Sequence, residues 1–445
     1  MNDIQGHTNK YKFVPWDKTS IWMTKPQVQC LLALVLAVAF SIVLSYPFNS
    51  VIAEPAISKD PNLKVELVAQ GSQPSTSMAF LGPNDILVLE KETGTVQRIT
   101  DGKMLPQPLL QVPVSPTNER GMLGIAIAKH NNGPTYVFLY YTTPGDGAQS
   151  LANVLYRYEL VNNNQQLANP KLLLSLPAIP GTNHNGGKVV IGPDNNVYVV
   201  IGDLKTHRTQ TENVVNGPPA DSTGGILRVT QDGQPVPNPP LGQATAPLNL
   251  YYGYGVRNSF GIGFDPVTNN LWDTENGPKY ADEINLVEPG FNSGWAQVMG
   301  TWAPEGAIGK ETAGQVISNP PSNLVDFAGK GKYSPPEFTW LKPVAPTALK
   351  FLNSVKLGKQ YQNDMFVGDY KNGNIYHFKL DQDRTGLALN GTLANKVSNT
   401  QQDSEPLIFA SGFDGGITDL QVGPDDGYLY VLTFTGSIYR IVPTS

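Results

Sequence analysis

The chain has 445 residues, enough for several ordinary domains or one large repetitive one. Its 44 Gly and 37 Pro, with only 15% charged residues, exclude a mainly helical architecture, because both residues interrupt helices and punctuate turns. A net charge of −6 leaves no basic footprint for nucleic acid, and the single cysteine, Cys30, excludes an intrachain disulfide or a cysteine-built metal site.

Residues 1–28 carry Lys10, Lys12, Lys18 and Lys25 against Asp3 and Asp17, which predicts a cytoplasmic segment by the positive-inside tendency. The stretch from Cys30 to Tyr46 reads CLLALVLAVAFSIVLSY, 17 residues without a charge. A spanning helix needs ~20 apolar residues with ~17 as the lower limit, so residues 29–46 are expected to form a transmembrane helix or signal anchor. The rival reading is a cleaved signal peptide with its site near Val51-Ile52-Ala53, against which stands an apolar run longer than the usual ~7–15 residues. Under either reading the chain from about residue 54 lies outside the cytoplasm, as a membrane-anchored or a secreted protein. Residues 47–62 read as a linker.

One phrase then recurs: an alternating apolar strand, a Gly-Pro-Asp or Asp-Pro turn, and a second strand with aromatics. It begins at Ser77, Gly186, Phe260 and Ile417, with looser copies at Gly121 and Pro346. Such strands joined by Gly/Asn/Asp turns make antiparallel hairpins, and hairpins that cannot bury their faces alone pack radially. Residues 63–445 are therefore expected to form an all-β, six-bladed β-propeller, with 63–69 (LKVELVA) as the strand that closes the ring. The long connections at 205–250 and 300–345 are expected to cover the axial mouth. A pair of β-sandwiches is the weaker alternative.

Several residues carry candidate chemistry. His184 sits in GTNHNGGKVVIGPD before a strand, where two glycines permit close backbone approach to a ligand and an imidazole suits proton transfer. Asp203 follows 19 residues later at the far end of the next strand, placed by a hairpin to fix the imidazole tautomer. The bland alternative is an exposed turn histidine and a strand-ending aspartate. Arg257 precedes a strand, where a guanidinium can grip a carboxylate or stabilise negative charge. Gly277 and Pro278 put carbonyls on a turn beside Glu275, Asp282 and Glu283, an oxygen-rich set suited to a hard cation such as Ca²⁺ or simply a solvated acidic loop. Lys371 is either a solvated turn lysine or an anion-binding group. Trp340 is either a core anchor or a stacking wall, and His130 and His377 read as structural.

The phrases ERGMLGIAI, NHNGGKVVIGPDNNVYVVIGD, YGVRNSFGIGFDP, ENGPKYADEINLVEPGFNSGW and VGPDDGYLYVLT resemble, in order and spacing, the soluble-type quinoprotein glucose dehydrogenases and aldose sugar dehydrogenases. The resemblance implies a six-bladed propeller binding pyrroloquinoline quinone (PQQ) over Ca²⁺ and oxidising aldoses at the anomeric carbon. It implies His184 as general base with Asp203 as its partner. Glu119, Arg257, Asn258, Lys371 and Thr418 fall at cofactor-side positions, and the carbonyls of Gly277 and Pro278, with Glu283, at the metal. Electrons would pass to a respiratory acceptor at the outer membrane face.

Two departures stand out. Where the family carries two arginines before the last blade, this chain has Gly416-Ile417-Thr418-Asp419, and Glu119-Arg120 replaces a phrase that commonly begins with Gln. Arg120, Lys188 and Lys205 are candidates to compensate the lost charge. The alternative function is a non-enzymatic extracellular binding propeller of the same superfamily that has lost PQQ. A propeller hydrolase is disfavoured, since no Gly-x-Ser-x-Gly nucleophile motif is present.

Overall fold

The alternation of buried and exposed residues seen along the recurring phrase becomes a run of antiparallel sheets. The computed structural model describes residues 55–445, apart from 72, 132, 146–150, 206, 243–244, 307–310, 318–320 and 445. Six sheets of four to six strands and one separate hairpin, Trp302–Glu305 with Thr312–Val316, account for the strands of the described residues. The fold is an all-β propeller.

Each larger sheet starts with one inner strand: Ser75–Gly82, Met122–Ala128, Val189–Ile191, Ser259–Phe264, Pro346–Phe351 and Ile417–Val422. These strands neighbour one another in chain order, and Ile417–Val422 lies against Ser75–Gly82, so the ring of inner strands closes. Glycines at the inner strands let backbones meet, because a Cβ at Gly124 would stand 1.8 Å from the Gly187 carbonyl oxygen.

Closure of the chain is also as expected. Leu63–Ala69 joins the last sheet antiparallel to Ile438–Pro443, with Leu63 opposite Pro443 and Ala69 opposite Ile438. The two ends of the propeller sequence thus share one sheet, which ties the ring shut.

The core is distributed between neighbouring sheets. Leu123, Phe138 and Leu155 of the second sheet pack on Val189, Val199 and Tyr251 of the third. Phe366 and Ile375 of the fifth pack on Leu420 and Val431 of the sixth.

Two features differ from the sequence reading. The linker assigned to 47–62 is structured at its end, since Ile57–Ser58 pairs with Ser411 and Ala410 at the edge of the fifth sheet. Short parallel pairs, such as Phe291 beside Gly253 and Val397 beside Thr339, extend the third and fourth sheets through long-range pairings that local patterning does not encode. The segments 1–28 and 29–46 lie outside the described residues, and no helix among the described residues is long and apolar enough to cross a membrane.

Candidate active site

A cavity of about 510 Å³ opens where the inner strands converge, and each of the six sheets supplies a wall residue. Thr76, Leu123, Lys188, Phe260, Thr347 and Thr418 come from, or directly precede, the six inner strands. The cavity therefore lies on the propeller axis.

His184 lines it and is 7% exposed. The hairpin of Val189–Ile191 with Val197–Ile201 returns the chain to the same end, so Asp203 meets the histidine as expected. His184 Nδ1 and Asp203 Oδ1 are 2.5 Å apart. This leaves Nε2 as the ring nitrogen available to the cavity. The glycines act on the scaffold as much as on a ligand. A Cβ at Gly202 would stand 2.5 Å from the Arg257 carbonyl oxygen and 2.6 Å from that of His184, so only glycine lets these backbones converge. His184 itself holds φ of 61°, a left-handed conformation uncommon outside glycine and typical of functional turns.

Burial alone would push the Asp203 carboxyl up. The His184 imidazole, the Arg257 charge and the Trp295 indole together hold it below the ordinary carboxylate range. Trp295 Nε1 donates to Asp203 Oδ2 at 2.7 Å, and the Lys205 amide donates to Oδ1 at 2.7 Å.

Glu119 lies beside the histidine. Its carboxylate accepts the His184 amide at 2.6 Å, the Asn183 side chain at 3.0 Å and Asn258 Nδ2 at 3.3 Å. Arg257 lines the cavity, and its Nη1 donates to the carbonyls of Asn276 at 2.7 Å and Gly277 at 2.9 Å. Gly277 and Pro278 also line it. Asp282 pins the surrounding loops by accepting the amides of Gly277, Val344 and Ala345, and burial pushes its carboxyl up to about 6.

Other expected residues fall elsewhere. Glu283 is fully buried within the fourth sheet, where it accepts the Gly300 amide, and does not line the cavity. Asp282 and Glu283 are successive strand residues and point to opposite faces, which sends one to the cavity region and the other inward. Lys371 is exposed, and its ammonium donates to the carbonyl of Pro343, a cavity residue, at 3.0 Å. Trp340 is a core anchor, 1% exposed and packed against Phe338, Tyr376 and Phe378. His377 bonds Asp364 at 2.8 Å and His130 bonds Gln231 at 3.1 Å, both away from the cavity. Among the described residues, 205–250 supplies no cavity wall, whereas 300–345 supplies Pro343 and Ala345.

Of the compensating cations, only Lys188 reaches the site. Arg120 is spent on the carbonyls of Ala178 and Gly181, and Lys205 is exposed. Lys188 instead pairs with Asp419 and also donates to Ser77 at 3.3 Å.

A known family model matches this chain. The model described as Glucose / Sorbosone dehydrogenase covers residues 72–440. The chain belongs to that family. It is 28% identical over 389 residues to the aldose sugar dehydrogenase YliI of Escherichia coli K12, covering 86% of this chain and 93% of the relative. It is 25% identical over 463 residues to quinoprotein glucose dehydrogenase B of Acinetobacter calcoaceticus, covering 91% and 92%. Among solved structures, the PQQ-bound aldose sugar dehydrogenase of Streptomyces coelicolor superposes with a TM-score of 0.62 at 23% identity, covering 85% of this chain and 98% of that one. At that identity the likeness speaks for the fold alone.

Two site residues of this glucose/sorbosone dehydrogenase family member escape a reading of local motifs. Lys91 is 6% exposed and lines the cavity, with its ammonium on the Pro116 carbonyl at 2.9 Å. Trp295 reaches Asp203 across 92 positions; the Gly-Trp of FNSGW marks a buried aromatic, but not what its N–H meets.

Proposed function

We propose that this chain is a sugar dehydrogenase, built as a six-bladed propeller, that oxidises aldoses at the anomeric carbon with PQQ and Ca²⁺ in the axial cavity. The observation that carries the reading is the His184–Asp203 pair at 2.5 Å, with His184 in the cavity wall and its Nε2 not engaged by the aspartate. The residues fit the cofactor. The volume lies within the ~300–1,000 Å³ typical of small-molecule sites, and Lys91 and Arg257 bring basic groups to its wall, while Lys188 is neutralised by Asp419. Asn258 Oδ1 and Asn276 Oδ1 are buried in that wall without a hydrogen-bond partner. With the Gly277 and Pro278 carbonyls they form an oxygen-only set of the kind a hard cation takes. Gly277 already accepts from Arg257 but keeps a second lone pair.

When bound, the quinone would accept the hydride of the sugar's anomeric C–H. The chain's own work is proton handling and orientation. His184 Nε2 takes the proton of the anomeric hydroxyl, and anionic Asp203 stabilises the imidazolium that results. Arg257 offsets negative charge developing beside it. Electrons then leave to an acceptor outside the cytoplasm, consistent with an N-terminal anchor that holds the propeller at the outer membrane face.

A second reading, a binding propeller without PQQ, is favoured by one observation. A Cβ at Gly416 would stand 2.2 Å from the Tyr370 carbonyl oxygen, so no side chain there can replace the family's arginine.

Calorimetric titration of residues 55–445 with PQQ, with and without Ca²⁺, separates the two. Saturable, Ca²⁺-dependent binding followed by aldose-dependent reduction of an artificial acceptor, lost in His184→Ala, is the expected result. No binding at high micromolar PQQ overturns the dehydrogenase and leaves the binding propeller.

A further inference from the structure

The wall around Gly416 shows what has replaced the missing charge. Tyr370 and Phe434 both line the cavity there, with ring centroids 5.5 Å apart at 79°. Their backbones interlock with Gly416: its φ is 80°, its Cβ position is blocked by Tyr370, and its carbonyl accepts the Phe434 amide at 2.9 Å. Tyr370 is also held from the other side, since its amide donates to Ala345 at 2.9 Å. The neighbouring Asp369 carboxylate ties down the turn through the Asn372 amide at 2.6 Å and the Tyr376 hydroxyl at 2.8 Å. Yet the Tyr370 side is 42% exposed, a large apolar surface turned to the cavity rather than packed away. Thr418 stands beside the pair, its hydroxyl occupied only by a long 3.4 Å bond to the Leu432 carbonyl.

A rigid aromatic pair with one lightly bonded hydroxyl beside it suits a sugar ring, whose C–H bonds meet aromatic faces while its hydroxyls bond at the edge. The ionisable groups Lys91, Glu119, His184, Lys188, Arg257 and Asp282 line the same cavity. We infer that Tyr370 and Phe434 form a ring-stacking subsite for the apolar face of an aldopyranose, selecting sugars whose hydroxyls are equatorial. An equatorial hydroxyl lies in the ring plane and leaves the axial C–H bonds to meet the aromatic faces, whereas an axial hydroxyl lifts the sugar off them. The edge hydroxyls then reach Thr418. The inference rests on the sugar dehydrogenase reading and adds to it which sugars bind and on which wall.

The test measures binding rather than turnover. Calorimetry of wild type, Tyr370→Ala, Tyr370→Phe and Phe434→Ala uses 1,5-anhydroglucitol, which lacks the oxidisable hydroxyl, and 1,5-anhydromannitol, which has one axial hydroxyl. PQQ with Ca²⁺ is titrated separately. Expected are tighter binding of the glucitol than of the mannitol, a loss of about 3- to 10-fold in both alanine variants, retention in Tyr370→Phe, and quinone affinity unchanged within about 2-fold. Sugar affinity unaltered in both alanine variants overturns the subsite, as does equal binding of the two analogues. Loss of sugar and quinone binding together in Tyr370→Ala also overturns it, since the residue would then serve the cofactor. If wild type binds quinone but neither analogue, the subsite fails while the dehydrogenase reading stands. If it binds neither quinone nor sugar, that reading fails and this one with it.

Discussion

Trp295 gives its indole N–H to Asp203 at 2.7 Å, on the carboxylate oxygen that His184 does not use. The aspartate is thus saturated from both sides inside a fully buried site, and the indole plane is fixed in turn. Arg208 lies 4.9 Å from the ring centroid and Arg257 5.3 Å, so two guanidinium groups flank the aromatic that bonds the Asp203 carboxylate. Arg208 is itself anchored to buried Glu311 at 2.9 Å. The histidine's tautomer therefore depends on residues well outside the His184 hairpin.

Trp295→Phe keeps the ring and removes the donor. The Asp203 carboxyl then rises toward the ordinary range, because an interaction with its charged form is lost. The depressed folded-state pKa of Asp203 contributes stability that is present above the unfolded value of 3.8 and is lost as pH falls through the folded value. The variant is expected to lose about 1–3 kcal/mol near neutral pH and to show a smaller further decline on acidification. Chemical denaturation at several pH values reads both effects. An unchanged acid limb would mean the indole does not act on the carboxylate.

Asp203→Asn tests orientation without removing bulk. The amide presents a donor or a neutral acceptor where the anion stood, so the imidazolium loses its counter-charge and its fixed tautomer. Turnover with an aldose and an artificial acceptor is expected to fall by about 10²–10⁴-fold. The ¹⁵N spectrum of the His184 ring should show a shifted proton distribution between Nδ1 and Nε2. Full activity with an altered tautomer would sink the general-base role.

The parts of this site that were legible in the sequence are those set by local geometry. His184 and Asp203 are the two ends of one hairpin, and Arg257 with Asn258 precedes an inner strand of the same recurring phrase. The closing strand was legible for the same reason, since LKVELVA alternates and has no partner nearby. Glu283 misled because two adjacent acids on a strand look alike in sequence while the pleat sends them to opposite faces. Trp295, Lys91 and the Lys188–Asp419 pair stayed hidden because their partners are set by ring closure, which no local period encodes. The pair joins residues 231 positions apart.

Three carboxyls buried in the fourth sheet predict an alkaline weakness. Asp273 and Glu275 lie two apart on one strand, and Glu275 pairs with Glu283 on the next. Burial pushes Asp273 up to about 7; burial, then repulsion from neighbouring carboxyls, pushes Glu283 up to about 8 and Glu275 well above its usual value. The folded chain therefore holds protons that the unfolded chain has released. This stability is fully present below the unfolded values and is lost as pH rises through the folded ones, from near 4 toward about 8. Melting temperature should fall steadily over that window. Asp273→Asn should flatten the fall and leave the variant more stable above pH 7 by about 1 kcal/mol or more. A wild-type melting temperature that is flat from pH 5 to 9 contradicts this.

Lys188 and Asp419 make the final case, because the penalty for breaking a buried ion pair differs from the benefit of having one. Their side chains are 7% and 1% exposed. Asp419 also accepts the Ser77 hydroxyl at 2.8 Å and the Met78 amide at 2.9 Å, so the pair stitches the third, sixth and first sheets together at the axis. Lys350, half-buried nearby and bonded to Gln421 at 2.8 Å, is pushed down to about 8 by burial. Lys188→Met leaves the carboxylate facing only that second lysine and neutral donors, and is expected to cost about 3–5 kcal/mol. Lys188→Met combined with Asp419→Leu removes both charges and should recover a large part of that loss, despite the orphaned Ser77 and Met78 donors. Urea denaturation of the wild type, both single variants and the double variant gives the coupling energy directly. A double variant no more stable than the worse single one would show that Asp419 holds the axis through its hydrogen bonds, with the lysine contributing nothing further.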